Sequence, residues 1–375
     1  MSAHARHLYV HLPFCAHRCG YCDFVTAIGR RGEHGTYVDA LLAELRLESH
    51  LLAPELDTIF LGGGTPTFTE PAQLERLLAA LPPAAEVTVE ANPETMTAEL
   101  ARLLRRTGVT RVSLGAQSFQ PALLNVLERR AGPDVVRRAF YRVRDAKFDN
   151  ISLDLLYGIP GQSPADLQRD LSEALALGPE HLSCYELEAK PGTRFTHAHG
   201  AELSRQAESM ETYFEHVVER LTAAGYRWYE TANFCLQGER AGGRDLRARH
   251  NLGYWLGRDY LGIGLGAVST IESERRRNTP RLAEYVAALG RATTPSRDVE
   301  ALPDEVRSRE RLMLGLRLDD PLLLETVASA IDEEALARLE RLGLLRRTGV
   351  NGSQALALTT RGRHLGGSVT AELMA

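Results

Sequence analysis

Three of the chain's five cysteines fall in one short stretch, HLPFCAHRCGYCDF, at Cys15, Cys19 and Cys22. The remaining two, Cys184 and Cys235, have no cysteine near them in sequence. A Cx3Cx2C loop can be a disulfide with a spare thiol, a zinc site short of one ligand, or an iron–sulfur site. Zinc would need a fourth donor such as His11 or His17, and structural zinc sites usually come as paired CxxC knuckles, which this sequence lacks. In the iron–sulfur reading, three thiolates hold a [4Fe–4S] cluster and leave one iron without a protein ligand. S-adenosylmethionine (SAM) can chelate that iron through its amino and carboxylate groups. One electron then breaks a carbon–sulfur bond and releases a 5′-deoxyadenosyl radical, chemistry that belongs to the cofactors. The residues alone leave all three readings open, with iron–sulfur ahead.

Other residues with chemical potential sit where short apolar runs end. In GGGTPT, glycine lets the backbone come close to a bulky ligand, although a tight strand-to-helix turn would use the same residues. Glu90 closes an apolar run with a carboxylate suited to ribose hydroxyls or an ammonium group. Arg129 carries a guanidinium able to clamp a carboxylate with two bonds. His250, within HNLGYW, reads on its own as a loop histidine, and Cys184 and Cys235 read as small buried hydrophobes.

The elements that must position these residues alternate. Strand-like runs at 7–12, 57–61, 87–90, 111–115, 151–155 and 181–186 are separated by helix-spaced stretches at 37–51, 71–81, 97–107, 134–146 and 164–177. Repeated βα units imply a parallel sheet with right-handed crossovers. Six strands suit a partial (β/α)6 barrel, with an open doubly wound sheet as the alternative. Either fold puts chemistry at the carboxyl ends of the strands, where the cysteine loop, GGGTPT, EANPE, GAQSF and DLLYGIPG all lie. Beyond Glu188, KPGTRF reads as a turn and 202–225 as one long amphipathic helix. The tail reads as helix, helix, hairpin, helix: a winged-helix-like module acting as a lid or docking domain. We divide the chain into a core at 1–235, a connecting segment with HNLGYW at 236–298, and the tail module at 299–375.

Bulk properties exclude several classes. At 375 residues the chain exceeds one ordinary core. Its 44% hydrophobic and 25% charged residues mark a globular protein. A formal charge of −5 argues against nucleic-acid binding, and the basic run Arg275, Arg276, Arg277 reads as a solvated loop. No run of about 18 apolar residues is present to span a membrane. MSAHARHLYV lacks the apolar segment of a signal peptide. An odd cysteine count without such a signal points to the cytoplasm, where a disulfide is disfavoured.

The stretches LYVHLPFCAHRCGYCDF, FLGGGTPT, VTVEANPE, LGAQSF, LDLLYGIPG and HNLGYW, taken in order, resemble the radical SAM superfamily along nearly the whole chain. The resemblance is closest to the oxygen-independent coproporphyrinogen III oxidases (HemN) and their heme-chaperone relatives (HemW). It implies that Cys15, Cys19 and Cys22 hold the cluster. It also implies that Gly63, Gly64 and Thr65 meet the amino group of SAM, and that Tyr9, Tyr21, Glu90, Gln117, Arg129 and Asp154 line the cofactor region. After Arg129, ERRAGPD departs from relatives that carry a histidine there.

Three features separate the branches. The oxidases have a further cysteine two positions after the third, where this chain has Phe24, and an N-terminal extension before the first strand, where this chain has a few residues. HNLGYW resembles a heme-associated motif of the chaperone branch, which implies heme contact at His250, with a nearby Tyr or Trp covering the porphyrin. Arg244, Arg247 or Arg249 could pair with heme propionates. The expected protein is a heme chaperone on a radical SAM scaffold, with a [4Fe–4S] cluster, SAM and heme as cofactors and no catalytic residue assigned. Its partner would be a heme acceptor, of the membrane-associated respiratory kind. A radical decarboxylase of coproporphyrinogen is the alternative, and a zinc-binding interaction protein is a third reading.

Overall fold

The computed structural model describes residues 4–190 and 193–374. Six parallel strands form its centre: β1 (His7–Leu12), β2 (Leu56–Gly63), β3 (Ala84–Ala91), β4 (Arg111–Gln117), β5 (Ile151–Tyr157) and β6 (His181–Glu186). They pair in chain order, each parallel to the next. β1 and β6 are not paired to each other, so the array is a partial barrel. Strands covered on both faces read as near-continuous apolar runs. β5 does so, with six of its seven residues buried; the exception, Asp154, belongs to the site.

The helices begin and end where local chemistry dictates. Pro164–Leu177 starts with a reciprocal Ser163–Asp166 capping box and Pro at its first turn, and ends on left-handed Gly178 (φ 67°). The long helix expected at 202–225 is instead two helices, Arg194–Gln206 and Met210–Ala223, joined by a 3-10 turn at Ala207–Ser209. In the KPGTRF turn, Pro191 and Gly192 lie outside the described residues; Thr193 accepts from the Thr196 N–H and caps the first of these helices.

The parallel array is extended on both sides. β8 (Asn233–Leu236) adds antiparallel to β6, and β7 (Tyr226–Glu230) adds antiparallel to β8 at the sheet edge. β9 (Tyr260–Ile263) adds parallel to β1, followed by antiparallel β10 (Val268–Ile271), β11 (Glu274–Asn278) and β12 (Arg297–Ala301). The result is a twelve-stranded sheet. The glycine-spaced run YLGIGLGAVS makes the second extension possible: a Cβ on Gly262 would lie 2.0 Å from the Val268 carbonyl oxygen. Arg275, Arg276 and Arg277 are strand residues of β11, not a loop, with Arg275 ion-paired to Glu310 at 2.7 Å.

The main apolar core runs from Ala5 to Leu318 and takes in both extensions, with Cys184 and Cys235 buried inside it. A smaller core, from Leu312 to Leu373, belongs to the C-terminal region. There the expected order of helix, helix, hairpin, helix is present. Asp304–Gly315 and Glu333–Arg341 are followed by β14 (Leu345–Val350) and β15 (Ser353–Leu358), then Thr360–His364 and Gly366–Leu373. β15 also pairs with the short β13 (Leu322–Leu323), making an antiparallel three-stranded sheet. Ion pairs fasten the two parts: Arg227 to Asp319 at 2.8 Å, Arg247 to Asp320 at 2.5 Å, and Arg317 to the fully buried Glu230 at 2.7 Å. No helix among the described residues is long and apolar enough to cross a membrane.

Candidate functional site

The carboxyl ends of β1 to β6 surround a cavity of about 660 Å³. Its wall contains Tyr9, Cys15, Cys19, Tyr21, Cys22, Gly63, Gly64, Thr65, Glu90, Gln117, Arg129 and Asp154. Every site residue expected from the sequence therefore meets here, except His250.

The cysteine loop leaves β1 and returns along a short parallel bridge, Phe14–Cys15 against Ala27–Ile28. Two of its thiols are tied together by a chain of hydrogen bonds. Cys15 Sγ lies 3.4 Å from Thr65 Oγ1, which accepts from Asn92 Nδ2 at 2.9 Å. Asn92 Oδ1 accepts from Arg129 Nη2 at 2.9 Å, and Arg129 Nη1 reaches Cys19 Sγ at 3.7 Å. Burial pushes the Cys15 thiol up to about 11 and raises Cys22 as well. Iron binding takes the thiolate form and displaces the thiol protons. Asn92, in the EANPE stretch, was not singled out from the sequence, since an asparagine after a strand is common turn chemistry.

The glycine segment works by absence of side chains. A Cβ on Gly64 would fall 2.5 Å from the Pro13 carbonyl oxygen and 3.0 Å from Cys15 Sγ. Gly63, at φ 107°, would collide with the His11 ring at 2.5 Å. Its N–H donates to Glu90 Oε2 at 3.2 Å. Burial and the neighbouring Asp154 push Glu90 up to about 7. Burial also raises Asp154, which accepts from Ser113 at 3.2 Å and Ser152 at 3.3 Å. Gln117 is turned into the cavity by a bulge at the end of β4, where it takes φ 66°. A further cation missed from the sequence, Arg111, begins β4, is 2% exposed and lines the same cavity. Phe24 stands at the mouth, 62% exposed.

Of the two histidines proposed as zinc donors, His11 is engaged elsewhere and His17 lines the thiol cavity. His11 bonds Tyr9 OH at 3.0 Å and the Val25 carbonyl at 2.8 Å, and burial lowers it to about 4. His17 Nε2 lies 3.2 Å from the Glu128 carbonyl oxygen and 3.8 Å from Cys19 Sγ. Among the described residues, no three His, Cys, Asp or Glu converge as on a single metal ion.

HNLGYW is helical, not a loop: it forms most of the helix Arg249–Trp255, packed across β2. The Glu86 carboxylate accepts from the N–H groups of Arg249 and His250 at the helix start, at 3.4 and 3.3 Å. His250 is 1% exposed. Its Nδ1 bonds Thr58 Oγ1 at 2.7 Å, its Nε2 bonds Tyr254 OH at 2.8 Å, and its ring stacks on Phe60 at 5.1 Å. Burial, with His7 beside it, lowers His250 to about 3 and keeps it neutral. The histidine read from the sequence as a loop residue is thus a buried, doubly hydrogen-bonded helix residue. Arg244 and Arg247, considered for propionates, are ion-paired to Asp149 at 2.8 Å and to Asp245 at 2.7 Å.

Residues 9–174 match the family model of the radical SAM superfamily. The chain is 37% identical to the heme chaperone HemW of Mycobacterium tuberculosis (strain ATCC 25618 / H37Rv), over 98% of this chain and 94% of that protein. It belongs to the HemW family. HemW of Bacillus subtilis (strain 168) is 33% identical, over 96% of this chain and 97% of its own length. The coproporphyrinogen III oxidase HemN of Escherichia coli, a radical SAM enzyme, superposes with a TM-score of 0.80 at 22% identity, covering 98% of this chain and 90% of that one. That likeness establishes the common fold. This chain therefore has the large parallel sheet of a radical SAM partial barrel, with a small C-terminal antiparallel sheet of its own.

Proposed function

We propose that this chain is a heme chaperone built on a radical SAM scaffold. Cys15, Cys19 and Cys22 hold a [4Fe–4S] cluster, and SAM lies along Gly63, Gly64, Thr65, Glu90, Gln117, Arg129 and Asp154, with Tyr9 and Tyr21 at the wall. The residues present suit these groups: three thiols face one cavity, Gly64 leaves space beside Cys15 Sγ, and Arg129 Nε is buried without a partner. When bound, the pair supplies a one-electron reductive cleavage of a sulfonium carbon–sulfur bond. The protein's own contribution is positioning. Thr65, Asn92 and Arg129 brace the thiols, and Glu90 offers an acceptor whose proton is held near neutrality.

Membership of the HemW family along nearly the whole chain carries the carrier reading. Phe24, an apolar group at the mouth where the oxidases have cysteine, supports it. The chaperone works in the cytoplasm and delivers heme to a membrane-associated respiratory heme protein. The division at 1–235, 236–298 and 299–375 is one of labour, since the core itself runs across the first boundary. The first part holds cluster and SAM, the second brings HNLGYW beneath the barrel, and the third serves as lid or docking module.

Anaerobic reconstitution followed by hemin titration tests this. About four irons and four acid-labile sulfides per chain, saturable hemin binding and no decarboxylation of coproporphyrinogen III are expected. Turnover of coproporphyrinogen would overturn the carrier reading in favour of the decarboxylase. Bound zinc without sulfide would overturn the cluster.

A further inference from the structure

The helix Pro121–Val126 ends in a tight turn that carries Glu128 in the left-handed region, at φ 55°. A side chain is strained there, and such strain persists only where the surroundings hold it. Here they do. The Glu128 N–H donates to the Asn125 carbonyl at 3.0 Å and the Arg129 N–H to the Leu124 carbonyl at 2.8 Å. Arg194, at the start of the helix Arg194–Gln206, pairs with the Glu128 carboxylate. The turn lies directly against the cysteine loop: a Cβ on Gly20 would fall 3.1 Å from Glu128 Oε1.

Two successive residues of this turn reach the loop. The Glu128 carbonyl oxygen lies 3.2 Å from His17 Nε2. A carbonyl only accepts, so His17 carries a proton on Nε2, and that N–H also stands 3.8 Å from Cys19 Sγ. Arg129 brings Nη1 to 3.7 Å from the same sulfur. Its guanidinium is fixed from behind through Nη2, which donates to the Gly115 carbonyl at 3.0 Å and to Asn92 Oδ1 at 2.9 Å. The three sulfurs are therefore served unequally. Cys15 meets one neutral hydroxyl, Thr65 at 3.4 Å, and Cys22 one backbone N–H, that of Phe24. Cys19 meets two side-chain donors, one of them cationic.

We propose that His17 and Arg129 set the reduction potential of the cluster by donating to Cys19 Sγ. The inference rests on the cluster reading above and adds which residues of this chain govern its redox poise. A cluster that accepts one electron gains one negative charge, shared with its thiolate sulfurs. Hydrogen bonds and a fixed positive charge at one of those sulfurs stabilise the reduced form and raise the potential. Both are positioning residues, since they act through Cys19. Arg129 Nε alone stays without a partner, so the guanidinium holds the loop with two nitrogens and keeps the third for a ligand.

The test is a redox titration of the anaerobically reconstituted full chain without SAM, with dithionite as reductant. It is read from the electron paramagnetic resonance signal of the reduced cluster, after iron and sulfide have been counted. Arg129→Met removes charge and donor, Arg129→Lys keeps the charge, and His17→Ala removes the neutral donor. At the potential that half-reduces the native cluster, Arg129→Met is expected to show a reduced-to-oxidised ratio about 10-fold lower. That is a downward shift of about 59 mV for one electron, from the loss of one charge-assisted hydrogen bond. His17→Ala should lower the ratio by about 3-fold. Arg129→Lys should recover part of the Arg129→Met shift, which a purely structural brace would not do. Where Arg129→Met takes up no cluster, His17→Ala decides. A native chain that takes up no iron and sulfide would sink the cluster reading itself. One common midpoint in native and loaded variants would leave that reading standing and overturn the tuning role, as would a midpoint that rises in either variant. Loading lost in both Arg129→Met and His17→Ala would also overturn it, leaving the two residues as holders of the loop only.

Discussion

Glu90→Gln tests the electrostatics of the barrel site before any cofactor is loaded. The fold raises Glu90 from 4.5 to about 7, so the folded chain keeps a proton that the unfolded chain has lost. Stability attributable to this group is therefore full below about pH 4.5, falls as pH rises towards 7, and stays low above it. Holding that proton corresponds to a ceiling of about 3 kcal/mol. Glu90 is only part-buried and lines an open cavity, so solvent screening brings the expected figure to about 1–2 kcal/mol. Gln keeps the shape and can still accept the Gly63 N–H, but never ionises. The assay is urea unfolding at pH 4.5 and 8, followed by tryptophan emission. Trp228 lies in the main core and Trp255 packs against it, so emission reports on the barrel. The variant should match native at pH 4.5 and exceed it by about 1–2 kcal/mol at pH 8. Equal differences between variant and native at both values would refute a fold-held proton on Glu90.

Further outcomes follow from single contacts. Gly64→Ala places a methyl group against backbone at Pro13 and against Cys15 Sγ; iron and sulfide retained after reconstitution should drop severalfold while the circular dichroism spectrum is kept. Asn92→Ala breaks the link between Thr65 and Arg129, and cluster loss under oxygen, followed by the decay of its visible absorption, should be faster than native. Arg317→Met leaves the buried Glu230 carboxylate without its ion pair and should lower unfolding free energy by about 3 kcal/mol, with Glu230→Gln in the same background restoring part of it. Tyr254→Phe removes one hydrogen bond from His250 and should cost about 1 kcal/mol in the same unfolding assay.

The parts of the site legible in the sequence were those made within a few residues. The cysteine spacing, the glycines of GGGTPT and the strand-ending Glu90 each sit on one loop, and six regular βα repeats place those loops at one end. What stayed hidden depends on distant pairing. β9 is four residues long and joins β1 across some two hundred and fifty positions of chain, so periodicity could not announce it. Asn92 and Arg111 acquire meaning only from the residues across the barrel. His250 lies in a helix and not a loop for the same reason: its burial comes from Thr58, Phe60 and Tyr254 closing around it, and nothing in HNLGYW itself distinguishes an exposed histidine from a buried one.

The most direct test of the account is heme transfer. Heme-loaded protein would be mixed with membrane vesicles carrying heme-depleted b-type cytochrome subunits, with apomyoglobin as a passive scavenger setting the rate of spontaneous loss. A chaperone hands heme over in a complex, so the rate should rise with vesicle concentration above the scavenger rate and then saturate. A rate that never exceeds spontaneous loss, at any vesicle concentration, would contradict the carrier account.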